Sequence, residues 1–313
     1  MASPTAPPHL SIADLQGSQR HRRTEGAIRL VFLGMAALSV VVTALIFLAL
    51  IGEAWNFISK VELPALWSGG WFPRRGMYDI GTILAGTLVI AGIGMVVAIP
   101  LGLGAAIYLA EYAGHRARAY LKPVLEMLAA VPSIVLGYFA LQWISPNIVQ
   151  TLCVSGASVF NMAAAGLAVG ILVTPLIASI AEDAMYAVPR SLREASYGLG
   201  ARKRTTSLRI VLPAAVSGIV AAIIVGFSRA VGETMIVSIA AGGTGGSLFG
   251  LNPCGQGQTM TAAMTALATG SDQVRGADLA YPSLFFVGLL LFGITLTLNV
   301  FSERFVRRTR LRY

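Results

Sequence analysis

Glu194-Ala195-Ser196-Tyr197-Gly198-Leu199-Gly200-Ala201 and then, across nine residues from Gly200, Ile210-Val211-Leu212-Pro213 form the most specific stretch of this sequence. Its small residues Ala195 and Ser196 permit another surface to approach closely. Gly200 suits the left-handed backbone conformation that ends a helix. Pro213 suits the first turn of a helix, where its missing N–H is not needed. Arg202, Lys203 and Arg204 are placed to reach acidic groups or anionic lipid headgroups. Read alone, the stretch is an amphipathic loop between two apolar runs, and those runs give it its meaning.

Working outward, six apolar runs are expected to cross a membrane: 28–51, 81–110, 121–144, 161–181, 214–241 and 281–301. Each is long enough for the roughly 20 helical residues that a bilayer requires. Composition agrees. Of 313 residues, 56% are apolar and 12% charged, against about 25% charged in soluble domains, and the mean hydropathy is +0.73. Pro100, Pro132 and Pro175 fall inside the runs, where neighbouring helices satisfy the freed backbone groups. Gly86, Gly92 and Gly94 are expected to let helices approach closely. The expected fold is therefore an all-α integral membrane bundle of six transmembrane helices.

The net charge of +9 does not imply nucleic acid, because the basic residues lie between apolar spans and make no continuous face. They mark orientation instead. Counting loops alternately and including Arg29 and Lys122 at the ends of their runs, 18 basic residues fall with the two termini and the segments 111–122 and 182–213, against 4 on the opposite side. The positive-inside rule then puts both termini in the cytoplasm. Residues 1–27 read as a disordered cytoplasmic tail and 309–313 as a short one. The run after Arg20, Arg22, Arg23 and Arg29 is too long for a signal-peptide core and lacks a small-residue cleavage site, so it reads as a retained helix. Trp55, Trp67 and Trp71 in the first outer loop suit an interfacial aromatic belt. Cys153 and Cys254 both fall in outer loops, where an external disulfide and two free thiols are equally open readings. No cysteine–histidine cluster suggests a metal. Lys60, Lys122 and Lys203 follow Ser59, Leu121 and Arg202, so no phosphate-binding Gly-x-x-x-x-Gly-Lys loop exists in this chain.

One charge stands apart. Arg229 lies in the fifth run, within Ser228-Arg229-Ala230-Val231-Gly232-Glu233-Thr234. An ionised side chain at mid-bilayer costs at least about 2.5–3.5 kcal/mol, so it needs compensation and marks a candidate pathway. Arg229 and Glu233 are four apart and share a face if the helix is continuous. A guanidinium binds a tetrahedral oxyanion through a bidentate fork. An ionised Glu233 is placed to accept the proton that phosphate retains and sulfate lacks, which would separate the two. A structural ion pair is the alternative. Glu111 and Glu126 are secondary candidates, expected nearer the cytoplasmic face.

These stretches resemble a known family. The segment about 183–213 looks like the EAA loop of ABC importer permeases, with Glu194, Ala195, Gly200, Ile210, Leu212 and Pro213 matching and Ser196 in place of Ala. Arg229-Ala230-x-Gly232-Glu233-Thr234 resembles the Arg-Ala-x-Gly-Glu-Thr signature of the phosphate-specific permeases PstC and PstA. Pro100-Leu101-Gly102, Ala110-Glu111-Tyr112, Val131-Pro132-Ser133 and Glu182-Asp183-Ala184 agree, and the likeness runs from about Gly81 to Arg308. Met235 after Glu-Thr, Leu284-Phe285-Phe286-Val287-Gly288 and the Trp-rich first outer loop look more like PstC. The resemblance implies a type I ABC importer permease (MetI-like) domain over 28–308, in a bacterial plasma membrane. It implies a PstA-like companion permease, a PstB-like ATPase dimer that uses ATP with Mg, and an external PstS-like phosphate-binding protein. It implies a substrate pathway at Ser228, Arg229, Glu233 and Thr234. ATPase coupling would fall to Glu194, Ala195, Ser196, Gly200, Ala201 and Pro213. This chain itself would be non-catalytic, without cofactor or metal. A same-fold permease for sulfate or molybdate, and a channel or sensor outside the ABC class, are the other readings.

Overall fold

Hydrocarbon leaves no water to satisfy backbone N–H and C=O groups, so apolar runs of this length fold as helices. The computed structural model describes residues 19–153, 156–242, 246–270 and 279–309. The expected tails 1–27 and 309–313 fall largely outside the described residues. Among the described residues, four helices are long and apolar enough to span: α1 (Gln19–Lys60), α2 (Ile80–Ile107, prolonged by a π-turn Tyr108–Tyr112), α5 (Met162–Tyr186) and α11 (Ala280–Thr309). Two bent helix pairs are also long and apolar enough when each pair is taken together. Helix α3 (His115–Ala129) meets α4 (Ser133–Phe139, continued to Leu152) at 82°. Helix α7 (Lys203–Thr206, continued through a π segment to Ala214) meets α8 (Val216–Val231) at 70°. With each pair counted as one span there are six.

The breaks differ from the continuous spans expected at 121–144 and 214–241, and each has a local cause. Pro132 has no N–H and disfavours helical geometry at Val131, so α3 ends and α4 starts afresh at Ser133. The fifth run is cut twice. Ala215, at φ −91° and ψ 1°, turns the chain into α8. Gly232, Glu233 and Thr234 then separate α8 from the short α9 (Met235–Ala240). Pro213 therefore lies ahead of the first bend, before α8 rather than in its first turn.

The chain divides into two compact units, residues 1–52 and 53–313. In the first, nearly all the apolar side chains from Ile28 to Ile51 lie exposed around the helix, Phe47 and Leu50 being half-buried, the pattern of a helix solvated by lipid. In the second, α2 and α5 cross at the centre, with α8 and α9 against α5. Glycine makes the α2–α5 approach. A Cβ on Gly170 would sit 2.8 Å from the Gly94 carbonyl oxygen and 2.9 Å from Val97 Cβ, and one on Gly166 would sit 2.7 Å from Ile93 Cβ. Of the glycines expected to serve this purpose, Gly94 does. Gly92 faces open space, and Gly86 admits the backbone of Gln258 instead.

A small sheet closes one end. Strands β1 (Gly70–Phe72), β2 (Met77–Tyr78) and β3 (Ser247–Leu248) pair antiparallel in the order β2-β1-β3. Trp71, expected in an interfacial belt, is instead buried beneath this sheet with Phe57, Tyr78 and Ile83, and its ring meets Tyr78 edge-on. Trp55 and Trp67 are exposed. On the sheet's side of the chain, helix α10 (Met260–Ala268) packs with α11 and α2. Cys153 and Cys254 form a disulfide, which resolves the two readings left open by the sequence.

Candidate translocation site and coupling loop

The break in the fifth run gathers the expected pathway residues into one hinge. Arg229 is in the last turn of α8, not at the centre of a continuous helix. Glu233 lies beyond the helix end, yet its Oε2 meets Arg229 Nη1 at 3.2 Å. The two side chains differ sharply: that of Glu233 is 3% exposed and that of Arg229 is 50% exposed. The second carboxylate oxygen of Glu233 accepts the backbone N–H of Met235 at 3.2 Å and of Ile236 at 3.5 Å. Both oxygens are thus engaged by protein. In this conformation Glu233 faces inward and holds Arg229, rather than offering an acceptor to a ligand. The guanidinium carries five N–H donors, and its half-exposed face presents the remainder outward. Ser228 donates to Asn299 Oδ1 on α11 at 3.4 Å, and Thr234 donates to the Gly232 carbonyl at 3.3 Å.

The second constellation is the loop between α5 and α8. Helix α6 (Arg190–Gly198) ends on Gly200 at φ +77°, with Gly200 N–H bonded to the Tyr197 carbonyl and Ala201 N–H to the Ser196 carbonyl. This paired closure needs a left-handed residue, which is why glycine stands there. Ser196 is buried, and its hydroxyl meets that of Thr206 at 2.8 Å, tying α6 to α7. Its small side chain therefore closes the loop on itself. Glu194, Ala195 and Gly200 are exposed, Ala201 is half-buried, and Leu199 at the tip is 89% exposed. The structure thus presents a tight turn bearing an apolar tip.

Beneath that turn lies a knot that the sequence reading had not assembled. Arg193 of α6 donates from Nε and Nη2 to Glu111 Oε1 at 3.1 and 2.9 Å, and from Nη1 and Nη2 to the carbonyls of Val188 and Met185 at 2.6 and 2.8 Å. Ser207 Oγ lies 3.4 Å from Glu111 Oε2, its one hydrogen being drawn mainly to the nearer Lys203 carbonyl at 2.9 Å. Glu111, at the π-turn ending α2, has its side chain 3% exposed. A second cluster joins α3 to α5, where Arg118 and Lys122 pair with the buried Glu182 and Lys122 also meets Asp183 at 2.6 Å. Glu126 is exposed on α3 and takes no part. Glu111 and Arg193 are separated by 82 residues, so their only sequence signal was a carboxylate next to an apolar run.

A sequence profile of the family described as "Binding-protein-dependent transport system inner membrane component" matches residues 98–311. The chain is 31% identical over 295 residues to the phosphate transport system permease protein PstC of Pasteurella multocida, covering 89% of this chain and 88% of that one. It is 30% identical over 293 residues to the protein of the same name from Haemophilus influenzae, covering 87% and 90%. Among solved structures, a bacterial ABC transporter importing alginate superposes with a TM-score of 0.61 at 15% identity, over 92% of this chain and 99% of that chain. The MetNI methionine ABC transporter gives 0.51 at 20% identity, over 73% and 92%. The fold is that of the ABC importer permeases, and the protein is a multi-pass protein of the inner membrane. On sequence and fold together, the chain belongs to the binding-protein-dependent transport system inner membrane components, as an ABC importer permease subunit similar to PstC.

Proposed function

We propose that this chain is the PstC-type half of an ATP-driven importer of inorganic phosphate. The observation that carries the reading is the half-exposed Arg229, held from behind by the buried carboxylate of Glu233. A permease must attract its anion without trapping it. A guanidinium already paired with one carboxylate has its charge partly compensated, so it binds a passing oxyanion with its free fork and releases it. Phosphate is the favoured oxyanion because the hinge residues match the phosphate-permease signature and because the relatives named above are phosphate permeases. In this reading Arg229 contacts the anion, and Glu233 fixes the guanidinium. Ser228 and Thr234 line the same hinge, and a PstA-like companion supplies the facing wall.

The loop carrying Leu199 and Gly200 docks on a PstB-like ATPase dimer, which binds ATP with Mg and does the hydrolysis. Both termini and this loop lie in the cytoplasm, and the end bearing the disulfide faces a PstS-like binding protein. ATP-driven uptake of labelled phosphate into vesicles, challenged with excess sulfate, molybdate or unlabelled phosphate, tests the substrate. Suppression by phosphate alone supports the reading. Equal suppression by sulfate or molybdate replaces it with a permease for another oxyanion.

A further inference from the structure

One strap, residues 253–261, ties the disulfide-bearing end of the second unit together. The carbonyls of Pro253 and Gly255 accept N–H groups at the start of α5, from Ala163 at 2.9 Å and Met162 at 3.0 Å. Gly257 N–H donates to the Ala241 carbonyl just past α9 at 3.1 Å. A Cβ on Gly86 of α2 would lie 2.4 Å from the Gln258 carbonyl oxygen, so the strap lies directly on that helix. Met260 N–H donates to Thr87 Oγ1 at 3.0 Å. At its far end, Thr261 donates its hydroxyl to the Glu233 carbonyl at 2.7 Å.

This last bond has a fixed direction. Thr261 has one hydroxyl hydrogen, and Glu233 takes it. The 3.0 Å contact between the hydroxyls of Thr259 and Thr261 must then run from Thr259 to Thr261. Thr259 in turn accepts the Ala262 N–H at 3.1 Å. The result is an oriented chain from α10 to the hinge, and each member polarises the next. Thr259 and Thr261 are 2% and 5% exposed, so water does not compete.

We infer that Thr261 is a positioning residue for the translocation site. It pins the Glu233 peptide, Glu233 pins the guanidinium of Arg229, and the strap thereby sets the geometry of the anion-binding fork from the disulfide-bearing face. The inference rests on Arg229 being the anion contact proposed above.

The test compares the assembled complex carrying Thr261→Val, Thr261→Ser or Thr265→Val with the parent. Thr265 is on the same helix, but its hydroxyl donates to the Thr261 carbonyl within α10. Two quantities are read: hydrogen exchange at the Met235 and Ile236 amides, and ATP-driven phosphate uptake. Thr261→Val is expected to speed exchange and to lower uptake, each by about tenfold, the worth of one buried hydrogen bond. Thr261→Ser retains the hydroxyl and restores both, and Thr265→Val changes neither. Parental exchange in Thr261→Val overturns the inference, as does faster exchange with undiminished uptake. If the parent complex takes up no phosphate, the substrate reading fails instead, and the exchange data still decide whether Thr261 pins the hinge.

Discussion

Removing the Glu111 carboxylate strands Arg193 in a buried site. Its guanidinium loses two hydrogen bonds to Glu111 and keeps two to the carbonyls of Met185 and Val188. Breaking a buried ion pair from one side costs about 3–5 kcal/mol. The retained carbonyls favour the lower end, about 3 kcal/mol. Ser207 adds little, because its bond to Glu111 is 3.4 Å long and its hydroxyl also meets the Lys203 carbonyl at 2.9 Å. At 1.4 kcal/mol per factor of ten, Glu111→Leu raises the population in which α6 leaves the bundle by about a hundredfold. Hydrogen exchange across the amides of Arg190–Gly198 measures that population. The double variant Glu111→Leu/Arg193→Met leaves no unpaired charge, so its exchange returns to within about tenfold of the parent. Exchange in Glu111→Leu within about threefold of the parent would refute the reasoning, as would additive losses in the double variant.

Other outcomes follow from the same geometry. Gly170→Ala forces a methyl against the α2 backbone and is expected to destabilise by about 1–3 kcal/mol, read as a lower melting temperature. Gly92→Ala meets nothing within 4 Å and should not lower it; equal melting of the two variants would contradict the packing argument. Cys153 and Cys254 are 101 residues apart, so reducing their disulfide is expected to destabilise the protein by roughly 4–5 kcal/mol. A melting curve unchanged by reductant counts against that. Leu199→Glu puts a charge on the exposed loop tip and is expected to leave this chain folded while lowering ATPase co-purification about tenfold, as loss of one buried leucine contact implies. Undiminished co-purification shows that the tip is not the docking point.

The sequence made the long spans legible because hydropathy is additive along a helix. Helices α2, α5 and α11 fall where apolar runs stand. The bends at Pro132 and Ala215 and the helix break at Gly232 were not, since a hydropathy average is blind to direction and an apolar run stays apolar across a break. The turn after α6 was readable through Gly200, whose positive φ only glycine adopts cheaply. Ser196 was visible as a small residue, but its bond to Thr206 depends on how two helices fold back. Trp71 was misplaced because an aromatic in an outer loop suits an interface and a small core equally, and β3, from a distant loop, decides between them. Arg229 and Glu233 were found from spacing. That one is buried and the other half-exposed follows from the hinge, which turns the carboxylate onto the α9 amides. Thr261 was invisible, as one threonine among several in a polar loop.

Arg229 is the group proposed to meet the transported anion. The direct measurement is ATP-driven uptake of radiolabelled phosphate by the reconstituted complex, parent against Arg229→Gln, with assembly and basal ATP hydrolysis read alongside. Uptake is expected to fall at least a hundredfold, consistent with losing a charge-assisted fork of about 3 kcal/mol, while assembly and basal hydrolysis persist. Normal uptake by Arg229→Gln contradicts the account and makes the Arg229–Glu233 pair a structural brace of the hinge.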